Sequence, residues 1–528
     1  MGQIISNGTF SPANLQAPGL YINNLPPPSY IPGVPTNVAG VIGTASWGPV
    51  NSPILLGSPQ DATTNFGGIT AASVTDVYDL CTDINIAYQQ GPMSIWAQRA
   101  TNGADAAATV KLYDTTTPTA LSGATVTALY TGTAGNSITL TITKAVASGN
   151  FNVVVNGFAG TNPETYTNLP GGTAFWDALV NAFSNGIQNV RGPSVLVRAS
   201  SGASAATTPA TGTFTLTGGN DGRTGITTAQ LLGSDATYPG TGIYAFANLQ
   251  PVVGTMWIAG LTDQTALPNI QSFVDANAIY TALAFPTGTS TATAVAAVTS
   301  VGVHDYEVSY LKDWIYWFDS VNGQVRLVPP YAFILGTVTA QAPQNSPTNK
   351  PVSGVLGTER NSPYTGNTPY SLAELGELEA AGILVITNPI PSGNTFGIYT
   401  GTNTALNLTE TPVEYARMTN FLDQSFNATM GIFVGQLQTA RQGDPLRAQV
   451  RHMLNQFLTG LQNGGQIDAY QVQCSFAQSG NPSAGVNTPS TIAQHYLYAA
   501  CYVRYLSSVR YFVISLQGGT TVVTSQAG

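Results

Sequence analysis

Charge is what this sequence has least of. Asp, Glu, Lys and Arg together make up 8% of its 528 residues, about a third of the share on an ordinary soluble chain. Gly, Thr, Ser, Asn and Gln fill the polar positions, and mean hydropathy stays near zero. A monomer so poor in charge has weak colloidal protection, so a surface largely covered by further copies of the chain is expected. A secreted β-rich protein, also rich in Thr and Gly, is the other class this composition admits.

Basic residues number 16 against 25 acidic ones, for a net charge of −9. With no run of Lys or Arg, that balance argues against a nucleic-acid surface. Cys81, Cys474 and Cys501 are far apart, with no CxxC and no nearby His pair. Their spacing fits neither a disulfide framework nor a zinc site, and free buried thiols in a reducing cytoplasm are expected. No apolar run approaches the roughly 20 residues of a membrane helix. Residues 1–6 lack the basic-then-apolar order of an export signal, so assembly in the cytoplasm is expected.

Catalytic constellations are also missing. His304, His452 and His495 stand in unrelated contexts, and no Gly-x-Ser-x-Gly elbow occurs. The run His304-Asp305-Tyr306-Glu307 holds metal-ligand types, yet an isolated run of that kind is more often a loop or strand edge. Gly218 to Gly222 lacks the Lys-Ser/Thr of a phosphate cradle and reads as a turn. Trp314, Tyr316, Trp317 and Phe318 alternate along a strand, so half of them belong to a core. The chain is read as a non-enzyme, with no cofactor and no metal assigned.

What is present is a clear organisation. Residues 38–45 form a small-apolar run fit for a strand buried on both faces. Ser58-Pro59-Gln60-Asp61 has the order of a helix start: cap, first-position Pro, acidic first turn. A helix over 74–89 and a strand over 93–97 continue an α/β rhythm. From about residue 101 the texture turns to Ala, Thr, Ser, Gly and Asn, and Ile138 to Thr143 alternates with period two. Strands at 151–155, 195–197 and 213–217 and one helix over 174–183 complete an inserted β-rich domain. The α/β pattern then resumes, with strands at 256–259, 279–285, 314–318 and 383–386 and helices over 267–276, 330–338 and 372–380. Helices over 412–427 and 445–462 follow. The second shows an apolar stripe of Leu446, Val450, Met453, Leu454, Phe457, Leu458 and Leu461 behind an Asp444 cap. Residues 511–516 and 520–524 are strand-forming.

Several blocks resemble a known family in order and spacing. Pro18-Gly19-Leu20-Tyr21-Ile22, the run 38–45 ending Gly43-Thr44-Ala45, Gly48-Pro49 and Phe66-Gly67-Gly68 resemble the opening of contractile phage (myovirus-type) tail sheath proteins. Ala134-Gly135-Asn136, Leu216 to Gly222, Pro329-Pro330, Ala381-Gly382-Ile383 and Phe396-Gly397 continue the resemblance along most of the chain. It implies an α/β core, subtilisin-like in fold and non-catalytic, with an inserted β-rich domain, an α+β C-terminal domain and extended terminal arms. The matching boundaries are 1–20 for the N-terminal arm, 21–100 with 223–410 for the sheath domain, 101–222 for the insert, 411–510 for the C-terminal domain and 511–528 for the C-terminal arm.

The resemblance further implies a structural subunit that polymerises around an inner tail tube, in rings or helical strands of itself. Its contraction drives the tube through a host envelope for genome delivery. The alternative is the sheath of a phage-like bacteriocin or extracellular contractile injection system. Implied partners are the inner tube protein and the baseplate and tail terminator proteins, with no direct nucleic acid and no membrane insertion. The implied location is a virion tail assembled in the host bacterial cytoplasm. Arms exchanged between neighbours would use Ile4, Ile5, Tyr21, Ile22, Tyr511, Val513, Ile514, Val522 and Val523. In so charge-poor a chain, Arg441, Arg447 and Arg451 are candidates for an acidic tube surface, with Arg447 and Arg451 on one helix face.

Overall fold

The computed structural model describes residues 3–5, 21–23, 30–147, 149–202, 205–441, 443–477, 485–514 and 516. Two compact units emerge, residues 34–424 with 507–528, and residues 1–33 with 425–506.

The first unit is built on a nine-stranded sheet. Its order is Lys350–Pro351, Gly397–Ile398, Ile383–Thr387, Val308–Lys312, Tyr280–Ala284, Thr255–Ile258, Val38–Gly43, Ser94–Arg99 and Ile54–Leu56. From Ile383–Thr387 across to Ser94–Arg99 every pairing is parallel, and only the outer pairings are antiparallel. Burial on both faces explains the apolar runs. Ala39, Val41, Trp257, Leu384 and Ile386 enter one core, whereas Ile42, Met256, Ile258, Ile383 and Val385 enter the other. The helices Leu80–Gln90 and Tyr331–Ala340 cover the first face, the latter buried from Tyr331 to Thr339. The helices Leu267–Asn277, Thr291–Val301 and Leu372–Ala380 cover the second.

Two expectations need correction here. The helix expected over 74–89 begins at Leu80 instead, after a 3-10 turn at Ala71–Val74. Asp79 is its cap, its carboxylate accepting from Thr82 N at 2.9 Å. Residues 78–80 are taken by the sheet end, where Thr44 N donates to Tyr78 O and Leu80 N to Thr44 O. The aromatic strand expected at 314–318 runs Ile315–Asp319 and lies outside the main sheet. It pairs with Gln324–Val328 and Val355–Thr358. Ile315 and Trp317 face inward and Phe318 is exposed.

Between Arg99 and Gly222 lies a β-rich body. It has a four-stranded sheet (Glu164–Leu169, Phe151–Asn156, Thr139–Lys144, Gly212–Thr215) and a three-stranded one (Val197–Ser201, Ser122–Ala128, Thr109–Tyr113). Leu140 and Ile142 point inward while Thr139 and Thr141 do not, as period two requires. The helix Ala174–Asn185 closes the core with Phe175, Trp176, Leu179 and Phe183. Gly123 is required there, because a Cβ would lie 2.3 Å from the Trp176 ring.

The joint of this body is a single buried cation. Arg99, 0% exposed at the end of its strand, donates to the carbonyls of Gly48 (2.7 Å), Thr131 (2.6 Å) and Asp221 (3.0 Å). The entering and leaving chains lie side by side, Asn102 N on Gly222 O at 2.8 Å and Ala106 N on Asn220 O at 2.9 Å. Trp47 reaches into the β-rich core against Phe158 and Tyr130, with ring centres 5.2 and 5.5 Å away. Gly222, at φ +67, makes the return turn that the sequence Gly218 to Gly222 announces.

The second unit is carried by the helix Pro445–Asn463, which packs Leu446, Val450, Met453 and Leu454 with Ile31, Phe433 and Cys474. Beside it is a two-stranded ribbon, Ile467–Gln473 against Ala500–Tyr505. The expected cap is present: the Asp444 carboxylate accepts from Arg447 N at 3.1 Å. No helix among the described residues is long and apolar enough to cross a membrane.

Candidate functional site

Two residues root the C-terminal segment in the first unit. Ser508 Oγ donates to Glu414 Oε1 (2.5 Å), and Arg510 pairs with Glu379 Oε1 (2.6 Å) while donating to Gly401 O (3.0 Å). Burial pushes the Glu379 carboxyl above its ordinary range, and the Arg510 charge opposes that shift. A cavity of about 660 Å³ opens at this root, lined in part by Leu372, Leu406, Leu408 and Tyr511; the three leucines are strongly exposed.

Beyond Arg510, the described apolar residues have little cover. Tyr511, Phe512, Val513, Ile514 and Leu516 are 72–91% exposed. The expectation of a strand here is corrected for the isolated chain: residues 511–514 form no ladder. A strand requires a partner edge, and none is supplied within one copy at these residues. Val522 and Val523 lie outside the described residues.

The N-terminal candidates behave differently. Gln3–Ile5 pairs in parallel with Tyr21–Asn23, setting Ile4 opposite Ile22. Within one copy these two segments partner each other instead of standing as open strands. A three-residue parallel ladder is a weak clasp, since two-stranded pairs are marginal in water.

Arg441, Arg447 and Arg451 do not form one basic face. Arg447 is 2% exposed. Its guanidinium donates to Thr439 O (2.8 Å) and to Arg441 O, and it lies over the Phe476 ring at 5.6 Å. It satisfies loop carbonyls at the helix start, a role that helical spacing alone could not reveal. Arg441 and Arg451 are exposed. Arg447→Ala should therefore lower stability by about 2–4 kcal/mol in urea unfolding, because buried acceptors lose a charged donor. Arg451→Glu should stay within about 0.5 kcal/mol of the parent. Equal losses in the two variants would contradict this placement.

The run 304–307 divides. His304 is exposed, its Nδ1 3.3 Å from Thr404 O. Asp305 and Glu307 instead meet Asp275, a residue that no local motif marks. Burial, with the neighbouring Asp275 and Asp305 charges, pushes Glu307 up to about 10. Burial and Asp305 push Asp275 up to about 6.

No protein-family model and no curated protein matches the sequence. Solved structures do match. The sheath tail protein of Desulfitobacterium hafniense is 17% identical with a TM-score of 0.55, over 86% of this chain and 93% of that one. The sheath tail protein Lin1278 of Listeria innocua is 14% identical with a TM-score of 0.55, over 83% and 88%. The PVC sheath complex of an extracellular contractile injection system, in its contracted state, is 11% identical with a TM-score of 0.51, over 96% and 98%. The chain thus has the mixed α/β fold of tail sheath proteins of phage-like contractile systems.

Proposed function

We propose that this chain is the sheath subunit of a contractile tail, a structural protein that polymerises around an inner tube and shortens to drive that tube through a host envelope. The observation that carries the reading is the exposure of Tyr511, Phe512, Val513, Ile514 and Leu516, just past an anchored root, with no ladder over residues 511–514. Large exposed apolar stretches mark interaction sites. An extended one is suited to adding a strand to another chain's sheet. Fully extended, residues 511–528 span roughly 60 Å, enough to cross a subunit boundary.

The ribbon Ile467–Gln473 with Ala500–Tyr505 supplies a fitting acceptor, because two strands leave two outer edges. The clasp between Gln3–Ile5 and Tyr21–Asn23 is short enough to open in favour of a neighbour. The nine-stranded, largely parallel sheet supports a subtilisin-like, non-catalytic body that moves as a unit while the arms hold adjacent copies. Two packings of the same subunit, the extended one trapped by tube and baseplate, make contraction possible. Arg441 and Arg451 remain the basic residues offered to an acidic tube surface.

A phage tail delivering a genome is the first reading. The near-complete match in both directions to the PVC sheath favours an extracellular contractile injection particle as the second. Electron microscopy of the purified full chain tests the common core. Hollow striated cylinders are expected; dispersed monomers at every concentration, with and without tube, would overturn it.

A further inference from the structure

We propose that Asp275, Asp305 and Glu307 form a binding site for a calcium ion, independent of the arms and of the sheath reading. Each offers one carboxylate oxygen, and the three oxygens lie within 4.8 Å of one another. Three oxygens within that span can close around a calcium ion, which is held at about 2.3–2.6 Å in a flexible, partly hydrated shell; magnesium demands near-octahedral geometry at about 2.0–2.1 Å.

Four further features point to a cation. Glu307 is 1% exposed, yet its Oε2 has no hydrogen-bond partner. Once ionised, a buried carboxylate oxygen left this way is costly unless a cation meets it. Asp275 sits in the last turn of Leu267–Asn277, where the helix end is itself negative and no basic residue compensates. None of the described ion pairs engages Asp275, Asp305 or Glu307. Asp423, on the helix Val413–Met430, adds negative charge close enough to act on Glu307.

The oxygens are also held in place. Asp305 accepts from Gln271 Nε2 (3.0 Å) and Glu307 N (2.8 Å), and its backbone is tied on both sides to Thr404 Oγ1 at 3.0 Å. Glu307 O accepts from Thr281 N at 2.8 Å, fixing it to the neighbouring strand. Such preorganisation lowers the ordering cost of binding. Asp275 is exposed, which leaves an entry path and room for waters to complete the six to eight oxygens calcium takes. A bound ion would join the helix layer to the central sheet, fastening Leu267–Asn277 to the segment that leads into Val308–Lys312.

The test uses the full chain, stripped with chelator, with CaCl2 as the only added ligand. Titration calorimetry should show saturable binding with Kd of about 10–1,000 µM. One millimolar CaCl2 should raise Tm by roughly 1 °C at the weak end of that range and by several degrees at the tight end. Asp275→Asn, an exposed and conservative change, should weaken binding at least about tenfold, the effect of losing one charged ligand. Glu307→Gln should abolish both the binding and the Tm response. No saturable binding by the parent, or parent-like binding in both variants, would overturn the site. An equal response to MgCl2 would overturn the choice of calcium. Because polymerisation is not the readout, failure here leaves the sheath reading standing.

Discussion

A chain ending at Arg510 is expected to fold as the parent does and to form no polymers. The five large side chains from Tyr511 to Leu516 are almost wholly exposed, so their removal takes nothing from the core of either unit. Ser508 and Arg510 keep their anchors on Glu414, Glu379 and Gly401. Assembly is another matter. Fully burying a large apolar side chain contributes about 1.5–3 kcal/mol, so five of them outweigh any single surface contact. Even after the ordering cost of the arm, a loss of about 5 kcal/mol per subunit raises the concentration needed for assembly by roughly 10³–10⁴. Sedimentation with electron microscopy reads the polymer, and urea unfolding reads the fold. Normal cylinders from the truncated chain would remove the arm from the mechanism.

Arg99→Ala should cost about 4–5 kcal/mol, among the largest single-residue effects in the molecule. The guanidinium is fully buried and is shared by three carbonyls from separate segments, at Gly48, Thr131 and Asp221. Hydrogen bonds to a charged donor contribute about 1.5–3 kcal/mol each, and the orphaned carbonyls add a desolvation cost. Arg99→Lys should recover little, since an ammonium cannot span the fork that reaches all three. The β-rich body should then loosen at its joint, with protease cleavage appearing near residues 100–106 and 220–224. Parent-like unfolding in Arg99→Lys would show that charge alone, and not the fork, holds the joint.

Elements whose signal is local were legible in the sequence. Val38–Gly43 is apolar throughout because parallel neighbours and helices bury both of its faces. Pro445–Asn463 shows its stripe because one face meets a core and the other does not. The helix Thr291–Val301 escaped, since Ala, Thr and Val give it little contrast between faces. The strand Val308–Lys312 escaped for a different reason. Its Ser309 and Lys312 look exposed in a sequence, but Ser309 meets Tyr280 Oη at 2.6 Å and Lys312 meets Tyr370 Oη at 2.8 Å inside the fold. Arg447 misled in the same way, a charge that faces carbonyls instead of solvent.

By itself the sequence determined that this is a charge-poor chain, with an α/β order interrupted by Thr-rich alternating strands and strand-forming residues just after Arg510. Those properties depend on residue type and period, which neighbours in the chain display. Tertiary structure decided that Arg99 closes the joint of the insert, that Arg447 is interior, and that Asp275 joins Asp305 and Glu307 across 30 positions. Each of these depends on which distant backbone or side chain arrives alongside, and such meetings leave no trace in local periodicity.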